Sequence, residues 1–160
     1  MSSHDAACLL VVRLRGPSGL SAAINNTLEM LNLKRSCWAT IIPNTSSMVG
    51  MLKKVERYVT WGDPNEQLLT LLINTKGEVL HGVNIEEELK SLGASSIEEL
   101  VKLIVEGKCE SKVLWRFYKP YFRLHPPKGG FKRSTKRPFK EGGEYGYRGV
   151  EISELVKRMI

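Results

Sequence analysis

The sequence predicts an α/β fold of β-α-β-α-β order, followed by a helical segment and an extended basic stretch. Three observations predict it. Short apolar runs rich in β-formers alternate with runs of helical period through residues 1–62; residues 63–111 carry helical spacing and helix caps; and Pro and Gly punctuate residues 112–149.

Cys8 to Arg15 reads CLLVVRLR, an apolar run that ends in alternation, with Val12 and Leu14 facing one way and Arg13 and Arg15 the other. That is a strand with one wet edge or face. Gly16-Pro17-Ser18-Gly19 breaks it, and Leu20, Ile24, Leu28 and Leu31 then recur on one stripe of a helix, with Ser18 as the expected cap. Cys37 to Ile42 (CWATII) is a second strand, closed by Pro43 and Asn44.

Thr45-Ser46-Ser47 starts a second helix whose apolar face is Met48, Met51, Leu52 and Val55, with Lys53, Lys54 and Arg57 towards the other side. Tyr58 to Trp61 is a short third strand stopped by Gly62-Asp63-Pro64. The short links place the helices against one face of a small sheet, a split β-α-β arrangement over residues 1–62.

Helices are expected at Asn65 to Asn74, Ile85 to Ser91 and Ser96 to Val105. Ser95 or Ser96 followed by Glu98 and Glu99 is an N-terminal signature, and Gly93 and Gly107 are suitable stops. Residues 65–110 hold nine Glu and four Lys, which we read as the solvated face of a helical insertion or a partner-facing surface rather than as catalytic carboxylates. Pro120, Pro126, Pro127 and Pro138, with Gly129-Gly130 and Gly142-Gly143, predict a largely extended segment over 119–149. Ile152, Leu155, Val156 and Met159 return to helical spacing, with Glu154 near the start and Lys157-Arg158 near the end as the helix dipole prefers, so residues 150–160 should dock back as a helix.

The charge is localised. The chain has 24 Lys and Arg against 17 Asp and Glu, a formal charge of +7. Lys112 to Lys140 holds ten basic residues and no acidic one, leaving 14 basic and 17 acidic residues for the rest. All of the net positive charge therefore belongs to this one stretch, the footprint of a polyanion ligand. It also carries Trp115, Phe117, Tyr118, Tyr121, Phe122, Phe131 and Phe139, seven of the chain's 12 aromatics. Cations neutralise phosphates and aromatic planes stack on bases, although Trp115 to Phe122 could equally build a small second core. A polybasic tail on a membrane surface is the bland alternative for Lys128 to Lys140.

Other chemistries find little support. Cys8, Cys37 and Cys109 form no C-x-x-C pair, and His4, His81 and His125 lie in different segments, so neither a disulfide framework nor a metal site is expected. No G-x-S-x-G elbow, G-x-x-x-x-G-K-[ST] loop or G-x-G-x-x-G pattern occurs. Gly16 to Gly19 could hold an anion at a helix N-terminus, but alone is more simply a tight connection. The first residues show no cationic start before a long apolar run, which predicts a cytoplasmic protein.

LLVVRLRGPSGLSAAINNTLEMLNL, followed by TSSMVGMLKKVERYVTWG, resembles the universal protein thirty family of large-subunit ribosomal proteins in its archaeal and eukaryotic form. FRLHPPKGGFKRSTKRPFKEGGEYGYRGVEISELVKRMI is similar to the tail of that form. The resemblance implies a ferredoxin-like fold with a three-stranded antiparallel sheet and helices on one face. It also implies binding to large-subunit rRNA and neighbouring ribosomal proteins, with no catalysis, no cofactor, no small-molecule substrate and no membrane.

Carried onto this chain, the implied RNA contacts are Arg13, Arg15, Gly16 and Ser18 at the first turn, and Gly50, Met51, Lys53 and Lys54 around the second helix. The tail adds Arg123, His125, Lys128, Lys132, Arg133, Lys136, Arg137 and Arg148. Bacterial members end near Trp61, so residues beyond it belong to the extended form. Two other readings are a non-ribosomal RNA-binding accessory factor and a ferredoxin-like enzyme acting on a phosphorylated substrate at Gly16 to Gly19.

Overall fold

The computed structural model describes residues 6–160; the first residues and His4 lie outside them. In chain order the elements are β1 (Cys8–Arg13), α1 (Ala22–Met30), β2 (Trp38–Pro43), α2 (Ser46–Lys54), β3 (Val59–Gly62), α3 (Glu66–Lys76), α4 (Ile85–Ser91), α5 (Ile97–Val105), β4 (Phe122–Arg123), β5 (Ser134–Pro138), β6 (Gly143–Tyr147) and α6 (Ile152–Met159). The fold is mixed α/β.

The first correction concerns the sheet. It has six strands rather than three, in the order β4-β2-β1-β3-β6-β5. β1 pairs antiparallel with β2 and β3, so Val11 lies between Thr40 and Trp61. The added strands all come from the basic stretch and the Gly-rich segment after it. β4 extends β2 through Trp38 and Ala39, and β6 runs parallel to β3 through Thr60 and Trp61. β5 pairs irregularly with β6, the register slipping between Ser134 and Pro138. Prolines confined to a short edge strand are compatible with pairing, so the punctuation that suggested a loop marks the sheet's margin.

Helices cover both faces: α1 and α2 share one, as the short links of residues 1–62 predict, and the later helices cover the other. Leu9 and Val11 point to a cluster with Leu28 and Leu31 of the α1 region, Leu52 and Val55 of the α2 region, and Val59 and Trp61 of β3. Cys8, Leu10 and Val12 point the opposite way, into a larger cluster with Leu68 and Leu72 of α3, Leu100 and Ile104 of α5, Phe117, Phe122, and Leu155 and Val156 of α6. β1 is thus buried on both sides, and the wet face expected from its alternation does not exist. Leu9, Leu10, Val11 and Val12 are fully buried, each burial contributing about 1.5–3 kcal/mol.

Local signals set the helix starts. Asn65 accepts from Leu68 N–H, Asn84 from Glu86 N–H and Thr45 from Met48 N–H. Ser96 accepts from Glu99 N–H at 3.2 Å while the Glu99 carboxylate accepts from Ser95 N–H at 3.0 Å, a reciprocal cap. The bonds from Ser95 hold the Glu99 carboxyl below its ordinary range. α1 differs from expectation. Its cap is Ser21, which accepts from Ile24 N–H, and not Ser18. Gly19, at φ +77°, spends those three residues turning the chain before the helix begins.

α6 buries Ile152, Leu155, Val156 and Met159. Gly62 lets it approach, since a Cβ there would meet the Gly149 carbonyl and the Ile152 side chain.

Burial also decides thiol chemistry. Cys8 and Cys37 are buried and Cys109 is half-buried. Burial first, then the charge of Asp63, pushes the Cys8 thiol up to about 11, which suppresses its thiolate at pH 8. A thiol reagent at that pH is therefore expected to modify Cys109 in the native protein, and Cys8 and Cys37 only after denaturation. Mass spectrometry of the labelled peptides checks this.

Candidate nucleic-acid interface

The sheet sorts the basic residues into three groups: buried, paired and free. Arg13 and Arg148 are buried, 0% and 8% exposed. Arg13 Nε donates to the Arg15 carbonyl at 2.7 Å and an Nη to the Leu33 carbonyl at 2.6 Å, tying the end of β1 to the loop after α1. Burial lowers its pKa. Arg148 Nε donates to Thr60 Oγ1 at 2.8 Å, and an Nη reaches Glu144 Oε2 at 3.2 Å. The Arg148 guanidinium also lies 4.8 Å from the Phe139 ring centroid. Burial lowers its pKa and the Glu144 charge opposes that shift. Both side chains bond within the fold, and their burial leaves little of either guanidinium open to a phosphate.

An expected result separates Arg13 from its neighbour. Arg13→Met should cost about 2–3 kcal/mol through its lost bonds to two carbonyls, with no change in the salt dependence of RNA binding. Arg15→Gln should do the reverse, lowering the salt slope and leaving the urea midpoint in place.

The paired group lies at the β4 edge and along α6. Arg123 bonds the Glu78 carboxylate, which also pairs with Lys119 at 3.4 Å. Lys132 meets Glu154 at 3.6 Å. The chain from β4 to β5 runs as a strap along α6, with His125 N–H donating to the Met159 carbonyl and Lys128 N–H to the Arg158 carbonyl. The His125 and Lys128 side chains stay exposed on it.

The free group lies at the opposite margin. Lys53, Lys54, Lys136, Arg137 and Lys140 are exposed and form no ion pair among the described residues. The turn Glu56–Tyr58, directly after α2, packs against both β5 and β6 and so brings the α2 lysines beside the β5 cations. Arg15 joins them, its guanidinium 5.7 Å from the Tyr58 ring centroid, and Arg133 lies 5.0 Å from the Phe139 centroid. Gly16, Ser18 and Gly50 keep the backbone approachable there, with nothing near a Cβ built on either glycine. Met51 is half-buried against the helices of its own face.

The aromatics of the basic stretch are mostly unavailable for stacking on bases. Phe117, Tyr118 and Phe122 are in the core, with Trp115 and Phe131 packed against it. Tyr121 stacks on Trp38, ring centroids 4.3 Å apart. The second-core reading of Trp115 to Phe122 is the one the packing supports.

Between α2 and the β5–β6 segment lies an open groove of about 850 Å³. Val49, Lys53 and Glu56 line one wall, Phe139, Lys140 and Tyr145 the other, with Trp61 and Tyr147 also reaching it. Tyr147 is fixed by donating to Asp63 Oδ2 at 2.7 Å; burial and that bond raise its pKa. Lys140 and Tyr145 were absent from the residues expected at the site. The Tyr145-Gly146-Tyr147 alternation, which sends both rings to one face of a strand, was the available signal.

The described residues contain no group of three metal-ligating side chains and no helix long and apolar enough to cross a membrane. Residues 9–59 match the family described as Ribosomal protein L30p/L7e. Three curated proteins similar to this chain are each called large ribosomal subunit protein uL30. The one from Korarchaeum cryptofilum is 44% identical, covering 100% of this chain and 99% of its own. That from Saccharolobus islandicus is 43% identical over 94% of this chain and 96% of its own. That from Caldivirga maquilingensis is 38% identical over 98% and 94%.

Proposed function

The chain belongs to the ribosomal protein L30p/L7e family, and from that premise we propose that it is a structural constituent of the large ribosomal subunit, not an enzyme. It works in the cytoplasmic ribosome by binding large-subunit rRNA and neighbouring ribosomal proteins. The observation that carries the RNA reading is the set of exposed cations, unpaired among the described residues, gathered from α2 and β5 at one margin of the sheet. Arg15, Lys53, Lys54, Lys136, Arg137 and Lys140 form the primary contact set, with the Gly16, Ser18 and Gly50 backbone close to phosphate. Arg133, Lys128 and His125 extend it along the strap. Arg123 and Lys132 contribute less, because carboxylates already compensate them.

Six phosphate contacts made to structured rRNA give log K a slope against log salt of roughly −4 to −5. The test is a salt titration of the full chain against a large-subunit rRNA fragment and an unrelated RNA of equal length. The expected result is that slope with tighter binding to the rRNA fragment. Equal affinity for both would favour the accessory-factor reading, and a flat slope would remove the cation margin from the interface. Deleting residues 112–149 is not a usable test, since it would remove three strands and the buried Phe117 and Phe122.

A further inference from the structure

We propose that the groove between α2 and the β5–β6 segment receives one unpaired guanine nucleotide of the bound rRNA, with Glu56 reading its base. The inference rests on the proposed rRNA binding and names what one part of that surface recognises.

The groove's dimensions and lining fit a nucleotide. Its volume of about 850 Å³ is that of a small-ligand site. Lys53 and Lys140 line it without ion pairs among the described residues, so two cations are available to the phosphates that flank an inserted base. Tyr145 is half-buried in the wall and its hydroxyl has no partner among the described residues, whereas the Tyr147 hydroxyl is already committed to Asp63. One tyrosine is thus fixed as wall and the other is free to stack and hydrogen-bond. Single-stranded RNA is recognised through bases splayed out in this way, stacked on aromatic rings and bonded at their Watson–Crick edges.

Glu56 supplies the discrimination. It is a half-buried carboxylate with no salt bridge among the described residues, and it lines a groove otherwise set up for a polyanion. An ionised carboxylate only accepts hydrogen bonds. Guanine alone among the four bases presents two adjacent N–H donors, N1–H and the 2-amino group, on its Watson–Crick edge. Adenine and cytosine set a ring-nitrogen lone pair beside their amino group, and uracil has a single donor between two carbonyls, so each places a repelling acceptor against Glu56. Gly146 lies beside this carboxylate, a Cβ built there standing 3.4 Å from Glu56 Oε1, at ordinary contact distance.

The test is kethoxal probing, which modifies guanine at N1 and the 2-amino group, of large-subunit rRNA bound to the full chain or to its Glu56→Gln and Tyr145→Ala variants. Salt slopes are measured in parallel. The expected result is one unpaired guanine shielded by the wild-type protein, with reactivity rising roughly tenfold in Glu56→Gln, the worth of one bond to a charged group. The salt slope should remain undiminished. A wild-type complex that shields no unpaired guanine, or shielding that survives both substitutions, overturns the proposal while leaving rRNA binding intact. Loss of rRNA binding by the wild-type chain would instead refute the proposed function on which it rests. A benzophenone side chain placed at Val49 in assembled subunits gives a second readout. Crosslinking to rRNA supports the nucleotide, and crosslinking to a polypeptide alone overturns it.

Discussion

Replacing Lys53, Lys136, Arg137 and Lys140 together by glutamine is expected to weaken binding to large-subunit rRNA by roughly a thousandfold at 0.1 M salt and to flatten the salt slope by about 3 units. Each phosphate contact releases about 0.7–0.9 of a counterion, so at 0.1 M salt each is worth nearly tenfold, and four lost contacts multiply to that figure. The four side chains are exposed and unpaired among the described residues, so the urea midpoint should stay close to that of the wild type. The matched control is Lys119→Gln with Arg123→Gln, which removes two cations already paired with Glu78. Its slope should change by well under that of any two of the four. Filter binding across salt concentrations reads both. Equal effects per cation removed in the two sets would mean that total charge, and not its placement, determines affinity.

The second large effect falls on stability. Arg148→Met is expected to cost about 3–5 kcal/mol, because it leaves Glu144 charged, buried and without its partner. Both side chains are almost fully enclosed, 5% and 4% exposed. Arg148 also ties β6 to β3, through Thr60 Oγ1, which itself donates to the Gly146 carbonyl at 2.8 Å. For a chain of this size the thermal midpoint should fall by roughly 10 °C. Arg148→Met combined with Glu144→Leu removes the stranded charge and should recover much of the loss, since an apolar pair of similar volume can replace a buried ion pair. Hydrogen exchange should show the single variant loosening residues 134–147 first. A double variant as unstable as the single one would show that packing around Arg148, and not the uncompensated carboxylate, carries the cost.

Much of the local structure was legible before any coordinates. Ser96 with Glu98 and Glu99 announces α5 because a cap acts within three residues of itself, and the stripe Ile152, Leu155, Val156 and Met159 announces α6 for the same reason of short range. Localisation of the positive charge in Lys112 to Lys140 and the family phrases on either side of the helical segment were equally plain. The failures share a cause. Counting three strands and reading Pro and Gly as loop failed alike because neither pattern shows that residues after 120 return to pair with residues before 62.

The candidate site divides along the same line. That the protein is basic in one stretch and binds a polyanion follows from composition, because net charge needs no geometry. Which arginine meets the polyanion does not. Arg13 and Arg15 are two residues apart in an alternating strand, yet one is enclosed and the other rests exposed on Tyr58. Arg148 sits in a Gly-rich tail that reads as a flexible contact, yet it bonds Thr60, 88 positions away. Sequence by itself determined the family, the helices and the sign of the ligand, all set by neighbours or by sums over residues. Only the tertiary structure decided which cations are free, which aromatics are core and where a groove opens, because burial and pairing depend on partners that the chain brings together only when it folds.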